Sequence, residues 1–346
     1  MRRRLIALLS FLLIFSVVLA GCSEEAAKET KSRLEVIKDR GKLIGGVNAD
    51  IPGFGYVDSD GSYSGMDVDI TKAVAAAVFG DATAVDFRPL SAEERFIAVQ
   101  TGEVDVLARN TTHTTSRDAS VGLAFAPVTF YDGQGMMVRK DSGIESLEDL
   151  EGARISVESG TTTELNLADQ MRKLGVSYEP VVFDSQDAAV AAYEQGSVDA
   201  YTTDRSGLVS RRSTLSNPDD HLILTQVISK EPLAPAVKDG DSKWEDVVSW
   251  TVYALIQAEE YGITQDNVAT FLDSEDPEIR RFLGVEGDLG EQLGLPSDFV
   301  VKVIESVGNY GEIYDRHLGP GTVFDLERGL NSLWTDGGLL YAVPFR

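Results

Sequence analysis

Residues 102–117 read GEVDVLARNTTHTTSR. Residues 104–108 are a short β-branched and apolar run behind Gly102, which predicts a buried strand. The run gives way to Asn110-Thr111-Thr112-His113-Thr114-Thr115-Ser116 and closes on Arg117. In an open α/β sheet, ligands bind where strands run out into loops. A hydroxyl-rich loop ending in an arginine suits a small anion with a planar, forked charge such as a carboxylate. A solvated loop whose arginine pairs locally would carry the same residues.

A second copy of the pattern lies downstream. Ala98-Val-Gln-Thr-Gly102-Glu-Val104-Asp105 has a counterpart in Ala192-Tyr-Glu-Gln-Gly196-Ser-Val198-Asp199. Each copy is a helix end, a glycine and a strand opening on Val-Asp. Five residues beyond each shared aspartate stands a polar group, Asn110 in one copy and Asp204 in the other. One supersecondary unit used twice implies two similar lobes with equivalent strand ends. Arg117 on one lobe and Asp204 on the other could hold the two ends of a zwitterion. Asp204 can also be read as no more than the cap of a helix over 205–212.

The chain has 346 residues, enough for two α/β lobes with cores of their own. Its composition, 43% apolar and 25% charged, is that of an ordinary globular protein. A formal charge of −25 argues against nucleic acid as a partner, because neutralising phosphates takes basic clusters. It argues equally against the folded body lying on an anionic membrane.

Residues 1–21 read as a signal peptide, with Arg2-Arg3-Arg4 as the basic region and 5–20 as an apolar stretch short for a membrane span. Removing those three positive charges takes the net charge from −25 to −28. The segment ends Leu19-Ala20-Gly21-Cys22, which resembles the lipobox of bacterial lipoproteins, where the cysteine after the cleavage point is lipidated. Cys22 is the only cysteine, so disulfides and cysteine metal sites are excluded. Residues 22–33, rich in Glu, Ala and Lys, read as a flexible tether.

Downstream, 34–40 predicts a short helix and 42–47 a strand running into the Pro/Gly loop that carries Phe54. Residues 58–65 have turn chemistry. Residues 67–79, with Ile70, Val74 and Val78 at four-residue spacing and Gly80 behind them, predict an amphipathic helix. Residues 84–89 form the next strand, and Ser91 with Glu94 is a capping box for a helix over 92–101. This β-α-β-α-β order implies a mainly parallel sheet. Residues 132–135 read as a crossover into the second lobe. There a strand at 154–157 leads to Thr161-Thr162-Thr163-Glu164 and a helix over 165–174, whose N-terminus suits an anionic group. A strand at 181–183, a helix at 187–195 and a strand from 198 to Asp204 complete the repeat. Residues 221–228 lead back through Lys230-Glu231-Pro232 to a helix over 244–258. The tail, 264–346, holds helical stretches at 279–283, 299–307 and 324–333.

Together these residues resemble the extracytoplasmic solute-binding proteins (family 3) of polar amino-acid ABC importers, nearest the general L-amino-acid binders. The resemblance rests on the lipobox, Gly65-Met-Asp67-Val-Asp69, Gly102-Glu-Val-Asp105, Thr114-x-x-Arg117, Gly160-Thr-Thr-x-Glu164 and Val198-Asp199 with Asp204. Val47-Asn48, Pro52-Gly53-Phe54, Tyr201-Thr-Thr-Asp204, Ile228-Ser-Lys-Glu-Pro-Leu233 and Gly308-Asn-Tyr-Gly311 add to it. It implies an α/β, two-lobed periplasmic-binding-protein-like fold (type II), each lobe a mainly parallel sheet flanked by helices, with two crossover segments as hinge. Lobe 1 would comprise 34–131 and 229–263, lobe 2 would be 132–228, and 264–346 a helical extension packed on lobe 1.

By that resemblance Arg117 would take the ligand's α-carboxylate with the N–H groups of Thr112 and Thr162. Asp204 and Asn110 would take the ammonium, and Thr161 would line the second-lobe side. Ile51 and Phe54 would pack on the ligand side chain, and Asn48 stands where many relatives read a basic side chain with an acid. The expected partners are a free L-amino acid, a membrane permease of an ABC transporter and, through Cys22, the membrane; no cofactor is implied. The expected location is the outer or periplasmic face of the cell membrane. Rival readings are a dehydratase on the same fold, which needs an acid or base in the cleft, and a sensor domain. His113, His221 and His317 are scattered, and no nucleophile–base motif stands out.

Overall fold

The computed structural model describes residues 31–346. The signal peptide, Cys22 and nearly all of the tether lie outside the described residues. The body runs α1 (Arg33–Arg40), β1 (Leu43–Val47), β2 (Asp50–Ile51), β3 (Gly55–Val57), β4 (Tyr63–Ser64), α2 (Met66–Phe79), β5 (Val85–Pro89), α3 (Glu94–Thr101) and β6 (Val106–Leu107). Next come α4 (Thr115–Ala119), β7 (Leu123–Phe125), β8 (Phe130–Asp132), β9 (Gln134–Arg139), β10 (Arg154–Glu158), α5 (Thr162–Leu174), β11 (Glu179–Phe183), α6 (Gln186–Glu194), β12 (Ala200–Asp204) and α7 (Arg205–Ser213). The chain then adds β13 (His221–Ile223), β14 (Glu231–Leu233), β15 (Ala236–Lys238) and α8 (Ser242–Glu260). Five more helices follow: α9 (Val268–Phe271), α10 (Pro277–Phe282), α11 (Leu289–Gln292), α12 (Phe299–Val307) and α13 (Tyr310–His317).

Two five-stranded sheets carry the two lobes, ordered β5-β1-β6-β15-β7 and β11-β10-β12-β9-β13. They have one plan. In each, three strands run parallel, and the strand that enters from a crossover, β15 or β9, packs antiparallel beside the third. Alternate residues of each strand face opposite sides of the sheet, and both sides are apolar. Leu43, Val106 and Val237 enter one core, while Ile44, Leu107 and Ala236 enter another. In the second sheet Met136, Ile155 and Ala200 face one core, Met137 and Tyr201 the other.

The repeated Val-Asp is what registers each sheet. Asp105 Oδ2 accepts from the Ile44 N–H at 2.6 Å, and Asp199 Oδ2 from the Arg154 N–H at 2.8 Å, so each aspartate grips its neighbouring strand at an equivalent place. Gly102 and Gly196 precede them at φ 75° and 80°, the left-handed region that glycine enters without strain.

The two crossovers meet as a short antiparallel ladder. Phe130, Tyr131 and Asp132 of β8 pair with Leu233, Pro232 and Glu231 of β14. Beyond it the extension packs α12 against α2 and α8, in the larger core of lobe 1. Two expectations need correction. α2 has apolar residues at helical spacing, yet it is buried on nearly every face, Asp67 and Asp69 included, because α8 and α12 cover it. Residues 324–333 form no α-helix, only a single 3-10 turn at Gly329–Asn331, so the extension is α-helical only as far as His317. Asp325 at φ 46° and Gly329 at φ 50° break the helical backbone there.

Candidate functional site

The ends of the equivalent strands β6 and β12 open on one cleft. It is lined from the first lobe by Ile51, Arg95, Arg109, Asn110 and Thr112, and from the second by Glu158, Thr161, Thr162, Thr163, Gln186, Thr203, Asp204 and Gly207. Of the residues expected at the site, Asn110, Thr112, Thr161, Thr162, Ile51 and Asp204 therefore lie together.

Arg117 is not among the cleft-lining residues, but it contacts Thr112, which is. It sits in the short helix α4, where Thr114 Oγ1 caps the backbone N–H of Arg117 at 3.3 Å. The side chain turns inward, is 6% exposed, and donates from Nη1 to Thr112 O at 2.9 Å. The Phe96 ring lies 5.1 Å from the guanidinium carbon. Burial lowers its pKa to about 10, while the charges of Glu231 and Asp204 pull the other way.

Asp204 opens α7 as its N-cap residue, yet its side chain makes no capping bond. The hinge supplies that service instead. Asp132 accepts from the Ser206 N–H at 3.2 Å and from its hydroxyl, and Gly133 O accepts from the Arg205 N–H at 2.8 Å. The Asp204 carboxylate is thus left free for the cleft. Burial, then the charges of Asp132 and Glu231, push its pKa well above the ordinary carboxylate range, against the pull of Arg117 and Arg95. A cation placed beside it would reverse that balance.

Around this pair the cleft offers further unpaired polar atoms. Asn110 adopts φ 42°, a left-handed conformation that asparagine tolerates, and donates its N–H to Asp67 Oδ2 at 2.9 Å. Its Oδ1 is buried without a partner. The Thr112 loop pairs with β14 through Thr111 O and His113 N, which leaves the Thr112 N–H out of the pairing. Thr161 caps α5, accepting from the Glu164 N–H at 3.3 Å, so its hydroxyl serves the helix as well as lining the cleft. Thr162 is the first residue of α5, where backbone N–H groups have no partner within the helix.

Two expected residues lie elsewhere. Phe54 is turned into the core, its ring edge-on to Phe130 with centroids 5.1 Å apart. Asn48 is buried and accepts from the Ala49 N–H at 2.9 Å, while its Nδ2 has no partner. Neither is among the cleft-lining residues.

Sequence reasoning missed Arg109, Glu158 and Gln186, which the fold brings in. Arg109 pairs across the lobes with Glu158, Nη2 to Oε1 at 3.5 Å, and both are about 5% exposed. Arg95, 2% exposed, reaches Gly160 O of the second lobe at 3.4 Å and keeps an unpartnered Nε. Burial lowers its pKa well below the usual value, with Arg109 and Arg117 adding to the effect. Arg109 stands next to Asn110 in the chain, a position that could have flagged it; Glu158 and Gln186 carried no local signal. More contacts hold the lobes together: Ser159 Oγ to Glu93 at 2.8 Å and Ser210 Oγ to Pro52 O at 2.7 Å. A separate groove on lobe 2, lined by Arg139, Glu194, Ser216, Asp220 and His221, contains none of the strand-end residues.

Comparison with known proteins bears on the whole body. The general L-amino acid-binding periplasmic protein AapJ of Rhizobium johnstonii is 52% identical over 341 residues, 98% of this chain and 99% of the relative. The glutamate/glutamine/aspartate/asparagine-binding protein BztA of Rhodobacter capsulatus is 49% identical over 332 residues, 96% of this chain and 98% of its own. A solved structure of an ABC transporter periplasmic binding protein from Brucella ovis with glutathione bound superposes with a TM-score of 0.90. It is 52% identical and covers 92% of this chain and all of its own. The family of bacterial extracellular solute-binding proteins, family 3, matches residues 43–267. With two sheets of one plan, a ladder of crossovers between them and a polar cleft at their strand ends, the chain belongs to the bacterial extracellular solute-binding proteins, family 3.

Proposed function

We propose that the protein is the solute-binding component of an ABC-type amino-acid importer, holding a free L-amino acid between its lobes and presenting it to a membrane permease. One observation carries this reading: an uncapped Asp204 lines a buried cleft from one lobe, and Arg117 of the other lobe holds the carbonyl of Thr112, which lines the same cleft. Free amino acids share only a carboxylate and an ammonium, so a broad binder must draw its affinity from those groups. The names of the relatives AapJ and BztA support the same class of ligand. None of the three histidines is among the cleft-lining residues. His113 contacts Asp118 at 3.0 Å and stacks on Phe125, His221 bonds Tyr193 at 2.7 Å, and His317 bonds Asp69 at 2.7 Å.

The test is calorimetric titration of Arg117→Ala and Asp204→Asn with several amino acids. Truncating one partner of a buried charge pair costs about 2–5 kcal/mol, so affinity should fall at least about 30-fold for every ligand. Near-normal affinity in Arg117→Ala would remove Arg117 from the site.

The lipobox-like Leu19-Ala20-Gly21-Cys22 supports membrane anchoring through a lipid on Cys22. Cys22→Ser should then release the protein from washed membranes; undiminished retention would refute the anchor. Among the described residues no helix is long and apolar enough to cross a membrane.

A further inference from the structure

Glu231 lies on β14, the strand of the second crossover, and is 1% exposed. Its carboxylate accepts four hydrogen bonds drawn from three parts of the molecule. Oε2 takes the hydroxyl of Thr112 at 2.6 Å from the first lobe and that of Thr162 at 2.9 Å from the second. Oε1 takes Asn166 Nδ2 at 2.7 Å from the second lobe and Ser229 Oγ at 2.5 Å from the crossover itself. The two threonine oxygens stand 3.4 Å apart, and both residues line the cleft.

We infer that Glu231 is a positioning residue of the cleft, tying both shut lobes to the hinge and fixing which way the two threonine hydroxyls can serve a ligand. A carboxylate is acceptor-only, and a hydroxyl has one proton. With both protons committed to Glu231, Thr112 and Thr162 keep only lone pairs for the cleft. Their side chains then suit a ligand's ammonium and cannot donate to its carboxylate, which is left to Arg117 and backbone N–H groups. The tie has a second consequence. Thr112 and Thr162 meet the same carboxylate oxygen only while the lobes are shut, so opening strips a hydrogen-bond donor from a buried acid. Glu231 therefore weights the equilibrium toward closure and slows ligand escape. The statement about ligand polarity rests on the amino-acid reading of the cleft; the tie between the lobes does not.

The experiment compares wild type with Glu231→Ala, Glu231→Gln and Thr162→Val. One readout is the dissociation rate of L-glutamine. The other is the interlobe distance in ligand-free protein, from spin labels on Ile97→Cys and Leu222→Cys in a Cys22→Ser background, both sites being exposed. Hydrogen bonds to a buried charge are strong, so Glu231→Ala should release L-glutamine about 10- to 100-fold faster and shift the labels to longer distances. Glu231→Gln retains an oxygen for both hydroxyls but loses the charge, and its release rate should fall between those of wild type and Glu231→Ala. Thr162→Val should act in the same direction as Glu231→Ala, with no further effect when the two are combined. Wild-type release and unchanged distances in Glu231→Ala would overturn the inference. So would full additivity of the two changes. If Glu231→Ala does not fold, Thr162→Val decides by the same rate and distances, wild-type values refuting the tie. If wild type fails to bind L-glutamine or any other common amino acid, the amino-acid reading falls, while the ligand-free distances still decide the role of Glu231.

Discussion

Asp67 and Asp69 lie two residues apart on α2, both nearly inaccessible, and titrate in opposite directions. Burial raises Asp67 to about 6, offset only by the Asn110 N–H and the charge of Arg109. Burial acts on Asp69 too, but the hydrogen bond and charge of His317, with Lys72, outweigh it and bring the pKa to about 2. A carboxyl raised on folding contributes stability that is fully present below its unfolded pKa of 3.8 and lost as pH rises through about 6. Asp67 should therefore make the native state less stable at pH 7 than at pH 4, by up to about 3 kcal/mol. Asp67→Asn keeps an oxygen for the Asn110 N–H and removes the titration. Melting curves between pH 4 and 7 should be flatter for this variant than for wild type; parallel curves would contradict the assignment. These residues also show what a motif can hide. Gly65-Met-Asp67-Val-Asp69 was legible as a family mark, yet neither aspartate lines the cleft. Asp67 steadies Asn110, and Asp69 holds the C-terminal helix through Arg316 and His317. The Val-Asp pairs likewise announced the duplication but serve the sheets, with Arg33 and Arg40 on Asp105 and Arg154 on Asp199. The cleft-lining groups are those five residues further on.

Elements were readable where local pattern decides them. The strand ends, the capping pairs at Ser91–Glu94 and Thr161–Glu164, and the helix over 299–307 follow from spacing and side-chain chemistry within a few residues. What distant chain decides was not readable. The burial of α2 depends on α12, more than 200 residues away, and the freedom of Asp204 depends on Asp132 capping α7 in its place. The α2–α12 contact should carry much of the first lobe's stability. Ile304 is fully buried in α12, and truncating a buried isoleucine to alanine costs about 2–5 kcal/mol. Ile304→Ala should lower the urea midpoint accordingly while ligand affinity below the transition stays unchanged. A midpoint equal to wild type would mean that the extension is dispensable to the lobe.

At the scale of the whole molecule, two sheets of the same order face each other across a ladder of only three paired positions. Such a narrow connection between two well-packed bodies is suited to hinge closure. The cleft between them is polar and crossed by the Arg109–Glu158 pair, while each sheet keeps apolar cores on both sides. Duplication explains why the fold was visible from two short stretches, 98–110 and 192–204: equivalent strand ends must face each other if equivalent sheets do. The same logic does not reach Glu231, which belongs to neither repeat and was visible only as part of a crossover. The central claim is that opposite lobes grip opposite ends of one free amino acid. It is tested most directly by titrating the protein with an amino acid that binds, with the amine made by removing its carboxylate, and with the acid made by removing its ammonium. Each truncated ligand should bind at least about 30-fold more weakly than the parent, whereas parent-like affinity for either one would contradict the two-ended grip.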